Sequence, residues 1–113
     1  MNSRSIMTAA CAALALSVAQ DAAAMGNAEA GKAKAAQVCA ACHGADGAKP
    51  SAPDQPILAG QYYEYLVKAL SEYKSGKRNN AVMKGFTAGL SRQELEDLAA
   101  WFASQKSSLR FQR

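Results

Sequence analysis

The residues best suited to chemistry are Cys39-Ala40-Ala41-Cys42-His43, where two thiols stand three positions apart and an imidazole follows at once. Near the end of a helix, side chains at i and i+3 share one face. Both sulfurs can therefore bond one flat molecule, and the adjacent imidazole can meet a metal at its centre. This C-x-x-C-H spacing is the attachment pattern of a c-type haem, with Cys39 and Cys42 as thioether links and His43 as proximal ligand of the iron. Three other readings compete. A thioredoxin-like pair belongs at a helix start inside a βαβ pattern, and no run here alternates as a strand does. Zinc needs four ligands, and two cysteines with the chain's single histidine fall short. A plain disulfide does not need His43 beside it.

The sixth ligand of the iron would decide the role. An open position permits gas binding or peroxide chemistry, whereas a filled one favours outer-sphere electron transfer, and a thioether raises the potential. Apart from the leader described next, the chain has two methionines, Met25 and Met83. A lone methionine ordinarily fills core space. With His43 on the iron and no second histidine to compete, Met83 is the expected sixth ligand.

The chain has 113 residues, room for one domain. Arg4 supplies a short positive start, residues 6–19 form an uncharged apolar run, and Ala22-Ala23-Ala24 provides small residues at a cleavage site. That is the anatomy of a secretory signal peptide over residues 1–24, with a mature domain over 25–113 exported to the periplasm. The run is shorter than the roughly 20 apolar residues of a spanning helix. Cys11 leaves with the leader, so Cys39 and Cys42 are the mature cysteines. Net charge is +4 with the basic residues dispersed, which suits weak docking to an acidic protein better than nucleic-acid binding.

Three helices must position these groups. Asn27 caps the first, whose Ala- and Lys-rich body runs from Ala28 to about Cys42. Residues 44–60 are broken by Gly44, Gly47, Pro50, Pro53, Pro56 and Gly60, a loop long enough to need something to hold it. Tyr62, Tyr65, Leu66, Ala69, Leu70 and Tyr73 then form one apolar stripe of a middle helix, which Gly76 ends. Residues 77–90 read as a second loop or short helical turn, with Gly85 and Gly89 as breakers. Ser91-Arg92-Gln93-Glu94 is a capping box, opening a last helix with Leu95, Leu98, Ala99 and Phe102 on one face and Trp101 beside them. The expected fold is all-α: three main helices plus short turns wrapped around one covalent haem.

Taken together, these residues resemble the short soluble bacterial members of the class I cytochrome c family. Beside the haem motif and Gly44, Pro56-Ile57-Leu58-Ala59-Gly60-Gln61 resembles the family's proline loop. Tyr65-Leu66 and Gly76-Lys77-Arg78 resemble the end and exit of its middle helix. Met83 stands where the family has its axial methionine, and Ala99-Ala100-Trp101-Phe102 lies in the final helix. The resemblance implies that the Pro56 carbonyl accepts the Nδ1 proton of His43. It implies that Gly31 lets the aromatic face around Trp101 approach closely. It puts Tyr62, Tyr73, Arg78 and Asn79 within reach of the haem propionates, against a plainer reading of the tyrosines as core stripe and the other two as solvated surface. The chain carries one haem motif, whereas some relatives fuse two such domains.

The leading expectation is a single-electron carrier, not itself an enzyme, with no small-molecule substrate and with transient redox donor and acceptor proteins, among them a membrane oxidase or dehydrogenase. The alternatives are a haem subunit of a periplasmic oxidoreductase complex, and a sensor or peroxidase with Met83 off the iron. So short a domain buries too little surface to be secure without a cofactor. The haem-free chain is therefore expected to be largely unfolded by circular dichroism; a native-like, cooperative thermal melt would contradict this.

Overall fold

The structure, a computed structural model, describes residues 25–109. The expected leader, residues 1–24, lies outside them. Among the described residues the regular structure is entirely helical: α1 (Ala28–Val38), α2 (Ala40–His43), α3 (Tyr63–Ser75), α4 (Ala81–Thr87) and α5 (Arg92–Ala103). No helix of the described residues is long and apolar enough to cross a membrane.

The helix ends follow from local side-chain chemistry. Asn27 accepts from the Ala30 amide and so caps α1. The capping box at α5 is complete, with Ser91 and Glu94 each satisfying the other's backbone amide. Gly76 ends α3 in the left-handed conformation, at φ 83°. Two boundaries differ from the sequence reading. The first helix does not run unbroken to Cys42, because Cys39 leaves the helical path at φ −116° and separates α1 from the short α2. Residues 77–90 are more regular than their glycines suggest. Asn80 caps a two-turn helix that passes straight through Gly85, where a glycine costs only about 1 kcal/mol.

The middle helix corrects the stripe. Leu66 and Ala69 are buried, but Tyr62 and Tyr65 are 60% and 46% exposed. Among the described residues α3 packs against α4 and α5, and its stripe is buried only in part. The Arg78 guanidinium lies over the Tyr65 and Tyr73 rings, at 5.8 and 5.3 Å from their centroids. It also reaches the Glu72 carboxylate at 3.3 Å. Lys68 first, and then Arg78, hold that carboxylate below its usual range.

The core is a single cluster of Ala35, Leu66, Leu90, Leu95, Leu98, Ala99 and Phe102, where α1 and α3 meet α5. A Cβ added to Gly31 would stand 1.9 Å from the Asp97 carbonyl oxygen and 3.0 Å from the Trp101 Cβ. The close approach expected at Gly31 is therefore real, but it is first to the α5 backbone and only then to Trp101. Asp97, buried, accepts from the Asn27 amide at 2.7 Å and from the Gln93 side chain at 2.8 Å. Next to it, the Gly26 amide donates to the Tyr63 hydroxyl at 3.1 Å. A carboxylate at the first turn of α1 also suits the helix dipole. Lys34 adds an ion pair from α1 to Glu94 of α5 at 2.8 Å, worth little by itself at such exposure.

Because the obstacle at Gly31 is backbone, it cannot rotate aside. Gly31→Ala is expected to destabilise the protein by about 2–3 kcal/mol, read as a lower midpoint in chemical denaturation. An unchanged midpoint would mean that α1 and α5 do not pack this closely.

Candidate functional site

Beside the core lies a cavity of about 480 Å³, within the usual range for cofactor sites. Every helix contributes to it. Cys39, Cys42 and His43 come from the α1–α2 junction, Pro56 and Leu58 from the long loop, and Tyr73 from α3. Met83, Phe86 and Thr87 come from α4, and Leu98 and Phe102 from α5. All five residues singled out for cofactor binding, Cys39, Cys42, His43, Pro56 and Met83, thus line one space. Of the residues suggested for the propionates, Tyr73 lines it, while Tyr62, Arg78 and Asn79 do not. Arg78 is instead engaged with Glu72 and the two tyrosine rings. Its buried Nε has no hydrogen-bond partner among the described residues.

Local backbone geometry sets the working atoms. The kink at Cys39 restarts the helix as α2, so that Cys42 and His43 follow on a fresh turn whose amides bond to the Cys39 carbonyl at 3.2 and 3.0 Å. His43 is buried, and its Nδ1 lies 3.0 Å from the Pro56 carbonyl oxygen. A carbonyl only accepts, so Nδ1 carries the proton and Nε2 keeps the lone pair that a metal requires. The loop that brings Pro56 there is itself pinned. The Leu58 amide donates to the Gly47 carbonyl at 2.8 Å, and the Trp101 indole donates to the Ala45 carbonyl at 3.1 Å. Gly47, at φ 74°, sits so close that a Cβ would fall 2.7 Å from the Phe102 ring.

The lining is mostly apolar, with the Asp54 carboxylate among its polar groups. Burial pushes the Cys39 thiol up to about 11, so the pocket disfavours a thiolate. A thioether is neutral at every pH and suits the same surroundings. Neither cysteine is in a disulfide. Among the described residues, no group of three or more His, Cys, Asp or Glu is placed to hold a metal ion by itself. The donor set is thus one imidazole, one thioether and two thiols around an apolar cavity. It fits an iron that arrives in its own macrocycle, with the protein adding axial and covalent contacts.

The model of the cytochrome c family matches residues 28–106, from the start of α1 to just beyond α5. The chain belongs to the class I cytochrome c family. Family membership implies covalently bound haem c, consistent with the cysteine spacing and the cavity. Its sequence is 56% identical over 86 residues to cytochrome c4 of Pseudomonas aeruginosa, covering 76% of this chain and 42% of that protein. Its structure resembles that of reduced recombinant cytochrome c4 from Pseudomonas stutzeri, with a TM-score of 0.67 and 46% identity over 74% of this chain and 48% of that one. It also resembles a chain of thiosulfate dehydrogenase (TsdBA) from Marichromatium purpuratum, with a TM-score of 0.65 and 32% identity over 76% of this chain and 21% of that one. The chain spans less than half the length of these relatives.

Several contacts of this cytochrome c site were not visible in the sequence. Thr87 is 1% exposed, lines the cavity, and donates to the Met83 carbonyl at 2.8 Å. Asn80 accepts from the Met83 amide at 3.0 Å. The one available signal was Asn80 followed by an apolar pair, an N-cap pattern outweighed by the two glycines after it. Asp97 had a clearer one, as an acid between Leu95 and Leu98 on the buried face of α5.

Proposed function

We propose that this protein is a periplasmic, monohaem single-electron carrier whose iron is held between His43 and Met83. The observation that carries the reading is the meeting of Cys39, Cys42, His43 and Met83 on one apolar cavity, with Nδ1 of His43 tied to Pro56. When bound, haem supplies a one-electron ferric–ferrous couple. The chain supplies two thioether anchors, a fixed imidazole and a sulfur ligand. Its apolar lining from Leu58, Leu98 and Phe102 limits water around the centre. Holding His43 and Met83 on short helices would keep rearrangement between the two oxidation states small. No substrate bond is made or broken, so the protein is not an enzyme by itself.

The remaining assignments rest on the sequence. A single C-x-x-C-H supports one haem in this chain. The charged start, apolar run and Ala22-Ala23-Ala24 support a cleaved leader over residues 1–24, a mature protein beginning at Met25, and a periplasmic location. A net charge of +4 supports brief docking to acidic redox proteins, weakened by salt. A second reading, a haem subunit that stays bound to an oxidoreductase, draws on the likeness to a thiosulfate dehydrogenase chain. Co-purification with a catalytic subunit would favour it over the free carrier.

The test is the visible spectrum of protein matured with haem in a bacterial periplasm, in both redox states, alongside Met83→Ala. Sharp low-spin bands in the reduced form are expected, with a far-red sulfur-to-iron band in the oxidised form that vanishes in Met83→Ala. A high-spin spectrum of the unaltered protein would remove the carrier assignment, and protein without covalent haem would overturn the whole reading.

A further inference from the structure

Met83 is the one expected iron contact with no covalent tether and no neighbouring attachment point. It sits at the third position of a helix only two turns long, and short helices are marginal by themselves. Yet its backbone is held at both ends by side chains. Its amide donates to the Asn80 carboxamide oxygen at 3.0 Å, and its carbonyl accepts from the Thr87 hydroxyl at 2.8 Å. Both residues also line the cavity. Thr87 is buried beside apolar side chains, where an unpaired hydroxyl would be costly, so the bond to Met83 is its natural state. Beyond this helix, the Lys74 ammonium donates to the Leu90 carbonyl, tying the far end of the same segment to α3.

We propose that Asn80 and Thr87 are positioning residues that keep Met83 on the iron and so close the sixth position to outside ligands. The proposal rests on Met83 being the sixth ligand and adds what holds it there. A small ligand must first displace the sulfur, so its apparent affinity is its intrinsic affinity multiplied by the fraction of molecules in which Met83 has swung away. Breaking either side-chain contact frees the helix without touching haem or sulfur, and raises that fraction.

The test uses ferric holoprotein titrated with imidazole, followed by the loss of the far-red band. Asn80→Ala and Thr87→Val are each expected to tighten imidazole binding by about 3- to 10-fold, the scale of a lost N-cap or buried hydrogen bond. Asn80→Asp, which keeps a capping oxygen, is expected to restore the original affinity. Ser91→Ala removes a comparable cap from α5, away from Met83, and controls for general loosening. It is expected to lower thermal stability while leaving imidazole affinity within about 2-fold. In a Met83→Ala background the Asn80→Ala change is expected to have no effect, because nothing is left to displace. Unchanged affinity in both Asn80→Ala and Thr87→Val, or an equal gain in Ser91→Ala, would overturn the positioning role while leaving Met83 as ligand. Met83→Ala binding imidazole no more tightly than the unaltered protein would overturn the ligand reading and this proposal with it.

Discussion

Everything in this fold depends on an apolar cavity that the polypeptide lines but does not fill. Leu66, Leu90, Leu98 and Phe102 belong both to the buried core and to the cavity wall, so one side of the core is packed against whatever occupies that space. Without an occupant those side chains would face water instead of a packed interior, a deficit that a domain of this size is poorly able to carry. A flat apolar macrocycle removes the deficit and supplies the missing half of the interior. Cofactor binding and folding are then one problem rather than two.

The rest of the architecture can be understood as the means of surrounding that body from a short chain. Three of the residues proposed to hold the haem, Cys39, Cys42 and His43, lie within five positions of each other, so their relative placement is almost local, and the break at Cys39 sets it. The other two contacts come from far along the sequence and need scaffolding. Pro56 is delivered by a loop hung from Gly47 and Trp101. Met83 is delivered by a helix capped by Asn80. The Pro56 loop is held by α5, whose Leu98 and Phe102 form part of the cavity wall, whereas α4 packs against α3. In turn, α5 is fixed by its backbone contact with Gly31 and by Asp97 on the start of α1. Asp54 is the carboxylate that lines the cavity; the paired charges lie elsewhere. The ion pairs, Lys34 with Glu94 and Lys68 and Arg78 with Glu72, lie between helices or on their outer faces, and none of these residues lines the cavity.

Much of this was legible in the sequence because its signals are short-range. A C-x-x-C-H run, a capping box at Ser91 and a terminating Gly76 each specify geometry within a few residues. The all-helical class, the three long helices and the contact of Pro56 with His43 followed from such signals and from family resemblance. The misreadings have a common cause. A periodic stripe states which residues share a face, not how much of that face a neighbour covers, and so Tyr62 and Tyr65 were placed in the core when they lie largely outside it. Gly85 and Gly89 suggested a broken segment because intrinsic propensity weighs against them, but tertiary contact and the Asn80 cap outweigh one glycine. The contact of Thr87 is invisible for a further reason: its partner is a backbone carbonyl on the adjacent turn, and backbone groups leave no mark in a sequence.

In the proposed holoprotein His43 and Met83 meet at one iron atom inside this cavity. X-ray absorption at the iron edge of the ferrous holoprotein tests it without reference to electron transfer or partners. Six-coordinate iron is expected, with four pyrrole nitrogens, one imidazole nitrogen and one sulfur. Iron with no sulfur neighbour, whether five-coordinate or completed by a second nitrogen or by oxygen, would contradict it.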